Sequence, residues 1–207
     1  MKGNLFIISS PSGGGKGTLI REVLKDVSCL SYAVSYTTRE KREGEVHGES
    51  YFFVSKEEFE GLIGKEEFLE YAEVHGNFYG TSKTQVEKET EAGNDIILEI
   101  DVQGAKIVRE KAERSINIFI LPPSYETLKT RLVKRQTESE TDLKVRLNNA
   151  SKEVREYKNF DYVVINEDKN KAADEMRAIF RGERLKTDRQ EDQIRDILVS
   201  FENFLKE

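Results

Sequence analysis

The segment "SSPSGGGKGT", which begins at Ser9, has the residue types of a phosphate-binding loop. Three consecutive glycines at 13–15 precede Lys16, and the apolar run at 5–8 leads into the segment. Glycines allow successive backbone N–H groups to point toward one centre, and the amino end of a following helix adds partial positive charge. The lysine can then reach the outer phosphates of a nucleotide. The segment therefore predicts a locally positive nucleotide site in a chain whose formal net charge is −6.

The loop departs from the common pattern G-x-x-x-x-G-K-[ST] at two positions. Ser10 stands where the first glycine is expected, and Gly17 follows Lys16, so the hydroxyl comes one residue later, at Thr18. We therefore expect Thr18 or water to coordinate a metal ion in place of a residue next to the lysine. The residues predicted to bind the triphosphate are Ser12, Gly13, Gly14, Gly15, Lys16, Gly17 and Thr18.

The loop by itself indicates a nucleoside triphosphate but does not separate a GTPase, an ATPase motor and a small-molecule kinase. A GTPase needs a guanine-reading Asn-Lys-x-Asp after a later strand, and the sequence contains none. Its one Asn-Lys pair, Asn170 and Lys171, is followed by two alanines. The sequence therefore argues against a GTPase.

Arginines and tyrosines farther along could bind a second phosphate. Arg39 and Arg42 lie three residues apart in a polar stretch, and two guanidinium groups can close on one phosphate as bidentate donors. Tyr51 and Tyr79 can each donate a phenolic O–H to the same phosphate. The alternatives are solvated loop charge for the arginines and half-buried packing for the tyrosines.

Two carboxylates close a buried strand in the second half of the chain. Glu99 and Asp101 stand at the end of the run "IILEID". A carboxylate at the carboxyl end of a strand near a phosphate loop commonly orders Mg²⁺ and its waters. Metal support, substrate contact and a purely structural role all remain open for this pair.

Four segments occur in an order and spacing that resemble the guanylate kinase family. They are "SSPSGGGKG", "VSYTTREKREGEVHGESYFFV", "EFLEYAEVHGNFYGTS" and "ILEIDVQG", and the resemblance runs from about residue 4 to about residue 183. It implies an α/β fold of the P-loop nucleoside monophosphate kinase type, with a parallel sheet flanked by helices and with GMP-binding and lid insertions. It also implies transfer of the γ-phosphoryl group of ATP to GMP, with Mg²⁺ accompanying ATP.

The resemblance assigns roles to the residues that bind GMP. Residues matching Arg39, Arg42, Tyr51 and Tyr79 hold the GMP phosphate. Glu70 matches a carboxylate that accepts the N1–H and N2–H₂ groups of guanine; adenine has no proton at N1, so such a site rejects it by roughly 10⁴-fold. The other matching positions are the base-assisting hydroxyls Ser35 and Thr81, and the carboxylates Glu99 and Asp101, with Asp101 near the acceptor and the metal.

The segment "LKTRLVKRQTESETDLKVRL" resembles the family's arginine-bearing lid. It contains Arg131, Arg135 and Arg146, and Gln136 stands where the family usually has glycine. By this resemblance Arg131, Arg135 and Asn166 contact ATP, while Lys16, Arg39, Arg135 and Arg146 are catalytic. The alternative for the lid arginines is a salt-bridged helical surface.

The elements that must position these residues follow an α/β rhythm. Apolar strands alternate with helices, which argues for a parallel sheet covered on both faces; the strands are predicted at 4–9, 30–35, 95–101, 116–121 and 162–166. A capping box is expected where Ser55 precedes Glu58, and one long polar helix is predicted at 140–157. The predicted divisions are a core of 1–34, 84–130 and 158–207, a GMP-binding subdomain of 35–83 and a lid of 131–157.

Composition bounds the function classes. A chain of 207 residues with net charge −6 does not have the basic character of a general nucleic-acid binder. Its single cysteine, its lack of a signal peptide and its lack of an apolar run of about 20 residues indicate a cytoplasmic protein that is not embedded in a membrane. Apolar residues from Ile194 to Leu205 predict an amphipathic C-terminal helix, which we expect to pack against the core or, alternatively, to mediate association.

The predicted substrates are ATP and GMP, with dGMP as a further possible acceptor, and the predicted state is a monomer or a homo-oligomer. Two rival functions are a catalytically silent guanylate-kinase-like module that binds proteins, and a kinase for another nucleoside monophosphate. The phosphate-loop lysine and the acceptor arginines argue against the first rival, and Glu70 argues against the second.

Overall fold

The computed structural model describes residues 1–74, 76–112, 114–134 and 140–204. Its strands are β1 (Leu5–Ser9), β2 (Leu30–Tyr32), β3 (Tyr36–Thr37), β4 (Phe52–Phe53), β5 (Phe68–Val74), β6 (Asn77–Ser82), β7 (Asp95–Glu99), β8 (Ile116–Leu121) and β9 (Tyr162–Ile165). Its helices are α1 (Lys16–Val23), α2 (Lys56–Gly64), α3 (Lys83–Glu91), α4 (Val102–Lys111), α5 (Tyr125–Lys134), α6 (Glu140–Glu153), α7 (Lys169–Arg184) and α8 (Glu191–Phe204).

The larger sheet is parallel and has the strand order β2-β7-β1-β8-β9. Its central strand β1 is buried along its whole length because helices cover both faces of the sheet. On one face Phe6 packs edge-to-face on Phe180 of α7, with ring centroids 4.5 Å apart. On the other face Ile7 lies in a cluster with Val86 of α3 and Val108 of α4. The predicted α/β fold with a parallel sheet is therefore confirmed.

A second, four-stranded sheet has the order β4-β3-β6-β5. Its core is aromatic: Phe59 of α2 stacks on Phe68 at 4.5 Å and on Phe78 at 5.5 Å. The predicted capping box at the start of α2 is present, because the Ser55 hydroxyl accepts from Glu58 N–H while the Glu58 side chain accepts from Ser55 N–H. This capping fixes where α2 begins and lets Phe59 reach the sheet.

Two predicted elements differ most from their expected boundaries. The strand expected at 30–35 ends at Tyr32, although Ala33 N–H still bonds to Ile97 of the larger sheet, and the next strand, from Tyr36, pairs in the smaller sheet. The helix expected at 140–157 ends at Glu153, and a 3₁₀ turn spans Val154–Asn159. The crossing at 33–35 links the two sheets through three residues.

The expectation that the C-terminal helix packs against the core is wrong. Every described residue of α8 is exposed, including Leu198 at 57%, Phe201 at 65% and Phe204 at 74%. The larger sheet already has both faces covered by other helices, so no apolar sheet face is left for α8.

Among the described residues, no helix combines the length and apolar character that crossing a bilayer requires.

A buried carboxylate joins α7 to the larger sheet at the amino ends of its strands. Asp95, at the start of β7, is 1% exposed and accepts hydrogen bonds from Asn4 N–H and Arg184 Nε, each at 2.7 Å. Arg184 also donates to the carbonyl of Gly93 at 2.9 Å. This contact lies at the opposite end of the strands from the loop between β1 and α1.

Candidate active site

The loop between β1 and α1 has a backbone that glycine makes possible. Gly13 and Gly15 have φ angles of 84° and 90°, which side-chain-bearing residues rarely adopt. A Cβ on Gly15 would also lie 2.3 Å from Nδ2 of Asn166. Gly15 precedes α1 without a side-chain cap, so the first N–H groups of the helix are available to an anion.

Two residues from other elements brace this loop. Asn166 Nδ2 donates to the Gly14 carbonyl at 2.9 Å. Arg131 of α5 donates to the same carbonyl at 3.3 Å and to the carbonyl of Asn166 at 2.8 Å. Burial lowers the pKa of Arg131. The structure thus places both residues beside the loop, which is where the resemblance to guanylate kinases puts ATP contacts.

The missing side chain of Gly17 leaves room for a carboxylate next to the loop. A Cβ at Gly17 would lie 3.3 Å from Oε1 of Glu99, and the Tyr32 hydroxyl donates to Oε2 of Glu99 at 3.2 Å. The side chain of Thr18 is exposed. Lys16 Nζ donates to the carbonyl of Ile100 at 3.0 Å, so its ammonium group lies close to the carboxyl end of β7.

One cleft brings the loop lysine together with most of the predicted acceptor residues. It has a volume of about 190 Å³ and lies between the two sheets. It is lined by Lys16, Ser35, Tyr51, Glu70, Ala72, Val74, Tyr79, Glu99, Ile100 and Asp101. Lys16 supplies a positive charge to this lining, so the cleft can hold a ligand whose anionic end faces Lys16.

Glu70 is the most deeply buried acid of this cleft, at 3% exposure. Its Oε1 accepts from the hydroxyl of Thr81 at 2.7 Å. Burial, with a smaller contribution from the nearby charge of Asp101, raises the pKa of Glu70 to about 7, although the hydrogen bond from Thr81 lowers the pKa. A Cβ on Gly104 would lie 3.0 Å from Oε2 of Glu70, so glycine at this position lets the start of α4 approach the carboxylate.

Asp101 has a structural function as well as a place in the cleft. Its Oδ1 accepts from Gly104 N–H at 2.8 Å, which caps the amino end of α4. One carboxylate oxygen is therefore committed to the helix. The other is the one that remains for a ligand or an ordered water.

Arg39 lies beside the cleft in a two-pronged ion pair with Glu45. Its Nη1 and Nη2 donate to the two carboxylate oxygens at 3.0 and 2.8 Å. The Glu45 carboxylate raises the pKa of Arg39, whose guanidinium lies 5.5 Å from the ring centroid of Tyr51. Burial raises the pKa of Tyr51 to about 12, so this phenol stays protonated and can donate a hydrogen bond.

Neither Arg42 nor Arg146 is among the residues that line the cleft. The Arg42 side chain is exposed, and its backbone N–H donates to Glu45 at 2.8 Å. Arg146 is half-buried on α6. Arg135 lies outside the described residues, as does Gln136. No group of three or more His, Cys, Asp or Glu side chains able to hold a metal ion occurs in the described part of the chain.

Two carboxylates that touch the site were not singled out by the sequence. Glu45 binds Arg39, and Oε2 of Glu153, at the end of α6, accepts from Ser12 N–H at 3.1 Å. Glu45 could have been predicted as a partner for the arginines because it follows Arg42 by three residues in the same polar loop. Glu153 is 141 residues from Ser12, so only the fold brings them together.

The family model described as guanylate kinase matches residues 2–183. The chain belongs to the guanylate kinase family. It is 50% identical over 197 residues to the guanylate kinase of Neisseria meningitidis serogroup A, covering 95% of this chain and 96% of that protein. It is 46% identical over 206 residues to the Clostridium tetani guanylate kinase, covering 100% of this chain and 97% of the relative.

A guanylate kinase of known structure shares this architecture, and a further relative matches the sequence over its whole length. The crystal structure of guanylate kinase from Anaplasma phagocytophilum superposes with a TM-score of 0.76 at 38% identity, covering 91% of this chain and 89% of that one. The guanylate kinase of Thermotoga maritima is 44% identical over 206 residues, and the match covers 100% of both chains. The predicted family, its P-loop kinase fold and its class of activity, a nucleoside monophosphate kinase, are thereby confirmed.

Proposed function

We propose that the cleft joins two anion sites, one for ATP and one for GMP, and that the chain transfers the γ-phosphoryl group of ATP to GMP to give ADP and GDP. The observation that carries this proposal is the shared cavity of Lys16, Glu70, Tyr51 and Tyr79. A lysine for the donor phosphates and a buried acid for the acceptor base line the same space. Such an arrangement suits positioning of two nucleotides for direct transfer.

On the ATP side, the residues from Ser12 to Thr18 surround the phosphates, the backbone N–H groups at the start of α1 donate to them, and Lys16 neutralises their charge. Arg131 and Asn166 hold the loop through their hydrogen bonds to the Gly14 carbonyl, and from this position they can contact ATP. Arg135 and Arg146, on the predicted lid, cover the moving phosphoryl group when the lid closes. Closure excludes water, which would otherwise compete with GMP for the phosphoryl group.

On the GMP side, Glu70 reads guanine by accepting its N1–H and N2–H₂ groups. Thr81 orients Glu70 through its hydrogen bond, and Ser35 presents a second hydroxyl to the base. Arg39 and Arg42, with Tyr51 and Tyr79, bind the acceptor phosphate and aim one of its oxygens in line with the transfer. No general base is needed because that oxygen is already anionic near neutral pH.

Mg²⁺ fits the oxygen-rich side of the cleft. Glu99 lies against Gly17, and the Asp101 oxygen not used in helix capping is available, so the chain offers hard carboxylate ligands or acceptors for metal-bound water. Thr18 offers a hydroxyl at the loop itself. When bound, Mg²⁺ would neutralise charge on the β- and γ-phosphates of ATP. These residues would hold it largely through the nucleotide and water.

The remaining proposals concern organisation and setting. The divisions are the core of 1–34, 84–130 and 158–207, the GMP-binding subdomain of 35–83, which contains the second sheet, and the lid of 131–157. The protein acts in the cytoplasm on small nucleotides, without nucleic acid or membrane as partner, as a monomer or a homo-oligomer. Support comes from net charge −6 and single-cysteine composition.

An acceptor panel tests the function. ADP production from ATP and Mg²⁺ is measured with GMP, dGMP, AMP, UMP and dTMP. We expect kcat/KM for GMP to exceed that for AMP by roughly 10⁴-fold, because AMP presents an acceptor to Glu70 where GMP presents a donor. Faster turnover of AMP, UMP or dTMP would refute the proposed base recognition. A protein inert with every acceptor that binds a phosphopeptide would indicate the silent binding module.

A further inference from the structure

The carboxylate of Glu45 accepts hydrogen bonds from both Arg39 and Arg42, which lie in the same loop. It accepts from both terminal nitrogens of Arg39, at 3.0 and 2.8 Å, and its Oε2 also accepts from the backbone N–H of Arg42 at 2.8 Å. The Arg39 and Glu45 side chains are 14% and 21% exposed. Arg39 lowers the pKa of Glu45, so the carboxylate stays ionised at neutral pH. One group thus sets the relative placement of two arginines.

The same contacts fix the plane of the Arg39 guanidinium. Nη1 also donates to the Glu40 carbonyl at 2.6 Å, so Glu40 and Glu45 together use three of the five N–H donors. The rings of Tyr51 and Phe53 lie 5.5 and 5.8 Å from the guanidinium carbon. The guanidinium is therefore oriented on several sides, and Tyr51, one of the two rings against it, also lines the cleft.

We propose that Glu45 is a positioning residue for the GMP phosphate: it holds Arg39, and the turn that carries Arg42, in the geometry that receives the acceptor phosphate. This inference rests on the proposed function of the cleft. An arginine fixed in advance loses less rotamer entropy when the phosphate binds, and a phosphate held in one orientation presents its oxygen in line with the transfer. The carboxylate also attracts Arg39 away from the phosphate, and this opposing effect would appear as tighter GMP binding when the Glu45 charge is removed.

The test compares Glu45→Gln with Glu43→Gln, which removes the same charge from an exposed side chain two residues away. For Glu45→Gln we expect the KM for GMP to rise about tenfold and kcat to fall, because a neutral amide offers one acceptor oxygen in place of two. The KM for ATP and the inhibition constant of guanosine, which has no phosphate, should stay within about twofold. Glu43→Gln should match the wild type in all four constants.

The conservative variant Glu45→Asp keeps the charge and both oxygens and should recover part of the GMP affinity. The role of Glu45 is refuted if Glu45→Gln matches Glu43→Gln, if it binds GMP more tightly than the wild type, if guanosine inhibition weakens as much as GMP binding, or if Glu45→Asp is no better than Glu45→Gln. Arg39→Ala separates the two proposals. If it leaves the KM for GMP unchanged, the phosphate site itself is wrong; if it impairs GMP alone while Glu45→Gln is silent, only the role of Glu45 is wrong.

Discussion

Two glutamates near the acceptor end of the cleft are held in opposite charge environments. Glu70 is buried with a hydroxyl partner and a neighbouring acid, so its pKa rises to about 7. Glu45 faces the Arg39 guanidinium, so its pKa falls. At neutral pH the first therefore exchanges a proton when its surroundings change, whereas the second keeps its charge. The cleft thus has one acid that responds to pH and one that does not.

The binding of GMP should depend on pH through Glu70. Only the carboxylate form can accept both guanine donors, and a pKa of about 7 leaves the unliganded group increasingly protonated as pH falls. We expect the wild-type affinity for GMP to be about tenfold weaker at pH 6 than at pH 8 from this group alone. Calorimetric titration in buffers of different ionisation enthalpy should also show proton release on binding near pH 6.5.

Glu70→Gln is the matched control, because titration of the GMP phosphate affects both proteins equally. The variant should bind GMP more weakly and should lack the additional pH dependence. If the two proteins lose affinity in parallel between pH 8 and pH 6, Glu70 does not titrate in this range and the expectation is wrong.

The residue types of the cleft were predictable, but their pairings were less so. Lys16, Glu70 and Tyr51 stand in segments that resemble guanylate kinases, and these residues meet in one cavity. The bond from Ser12 to Glu153 joins residues 141 positions apart, which no local pattern encodes. The ion pair of Arg39 with Glu45 depends on how an irregular loop turns, and loops have no hydrophobic period from which to predict it.

At the scale of elements, the phosphate loop depends on contacts from β9 and α5. Asn166 follows β9 and Arg131 belongs to α5, yet both donate to the Gly14 carbonyl. Since a carbonyl has two lone pairs, it can accept both donors at once. The loop is therefore held by the body of the fold before any nucleotide binds, which reduces the ordering that binding requires.

Gly15→Ala should damage this element. The alanine Cβ would approach Asn166 Nδ2 to 2.3 Å at a φ of 90°, so the loop must move or the brace must break. We expect the free energy of unfolding to fall by about 1–3 kcal/mol and the KM for ATP to rise. Urea unfolding and steady-state kinetics measure the two effects.

Gly61→Ala provides the comparison, since Gly61 lies within α2 with nothing within 4 Å of an added Cβ. Alanine there should stabilise the protein by up to about 1 kcal/mol without changing the KM for ATP. A Gly15→Ala protein as stable as the wild type, with an unchanged KM for ATP, would show that neither the backbone angle nor the Asn166 contact matters.

At the scale of the molecule, the sequence predicted the layers better than the connections between them. The continuous apolar run of β1 implied a strand buried on both faces, and the structure has it at the centre of the parallel sheet. The stretch at 30–35 has no feature that marks the end of β2 at Tyr32 or the change of sheet before Tyr36, so the sequence pattern does not predict either one. The amphipathic pattern of α8 indicated an apolar surface correctly but could not indicate whether anything in the chain covers it.

Removal of α8 should leave the fold and the activity almost unchanged. The contact of the Met1 amino group with Asp192, at 3.8 Å, is an exposed ion pair, and such pairs contribute about 0–1 kcal/mol. A chain ending at Gln190 should therefore keep its free energy of unfolding within about 1 kcal/mol and keep its kcat. Thermal and urea unfolding, together with the GMP kinase assay, check this.

Phe180→Ala serves as the contrasting variant within α7. Phe180 is 1% exposed and packs on Phe6, so its truncation should cost about 3–5 kcal/mol. If loss of α8 lowers the free energy of unfolding as much as this core truncation does, then α8 stabilises the protein through association or through contacts that its exposure does not reveal.

The hydrogen bonds from Asn4 and Arg184 to Asp95 have a consequence for how this protein tolerates amino-acid substitutions. Asp95 lies at the amino ends of the strands, away from the nucleotide cleft. Replacing it would therefore lower the amount of folded protein in the cell, because cellular quality control removes unstable molecules, but each folded molecule would keep its normal activity. Replacing Glu70 would do the reverse. A library of all single substitutions, scored separately for abundance and for growth, should therefore give one phenotype at the Asp95 contact and another at the cleft that Glu70 lines.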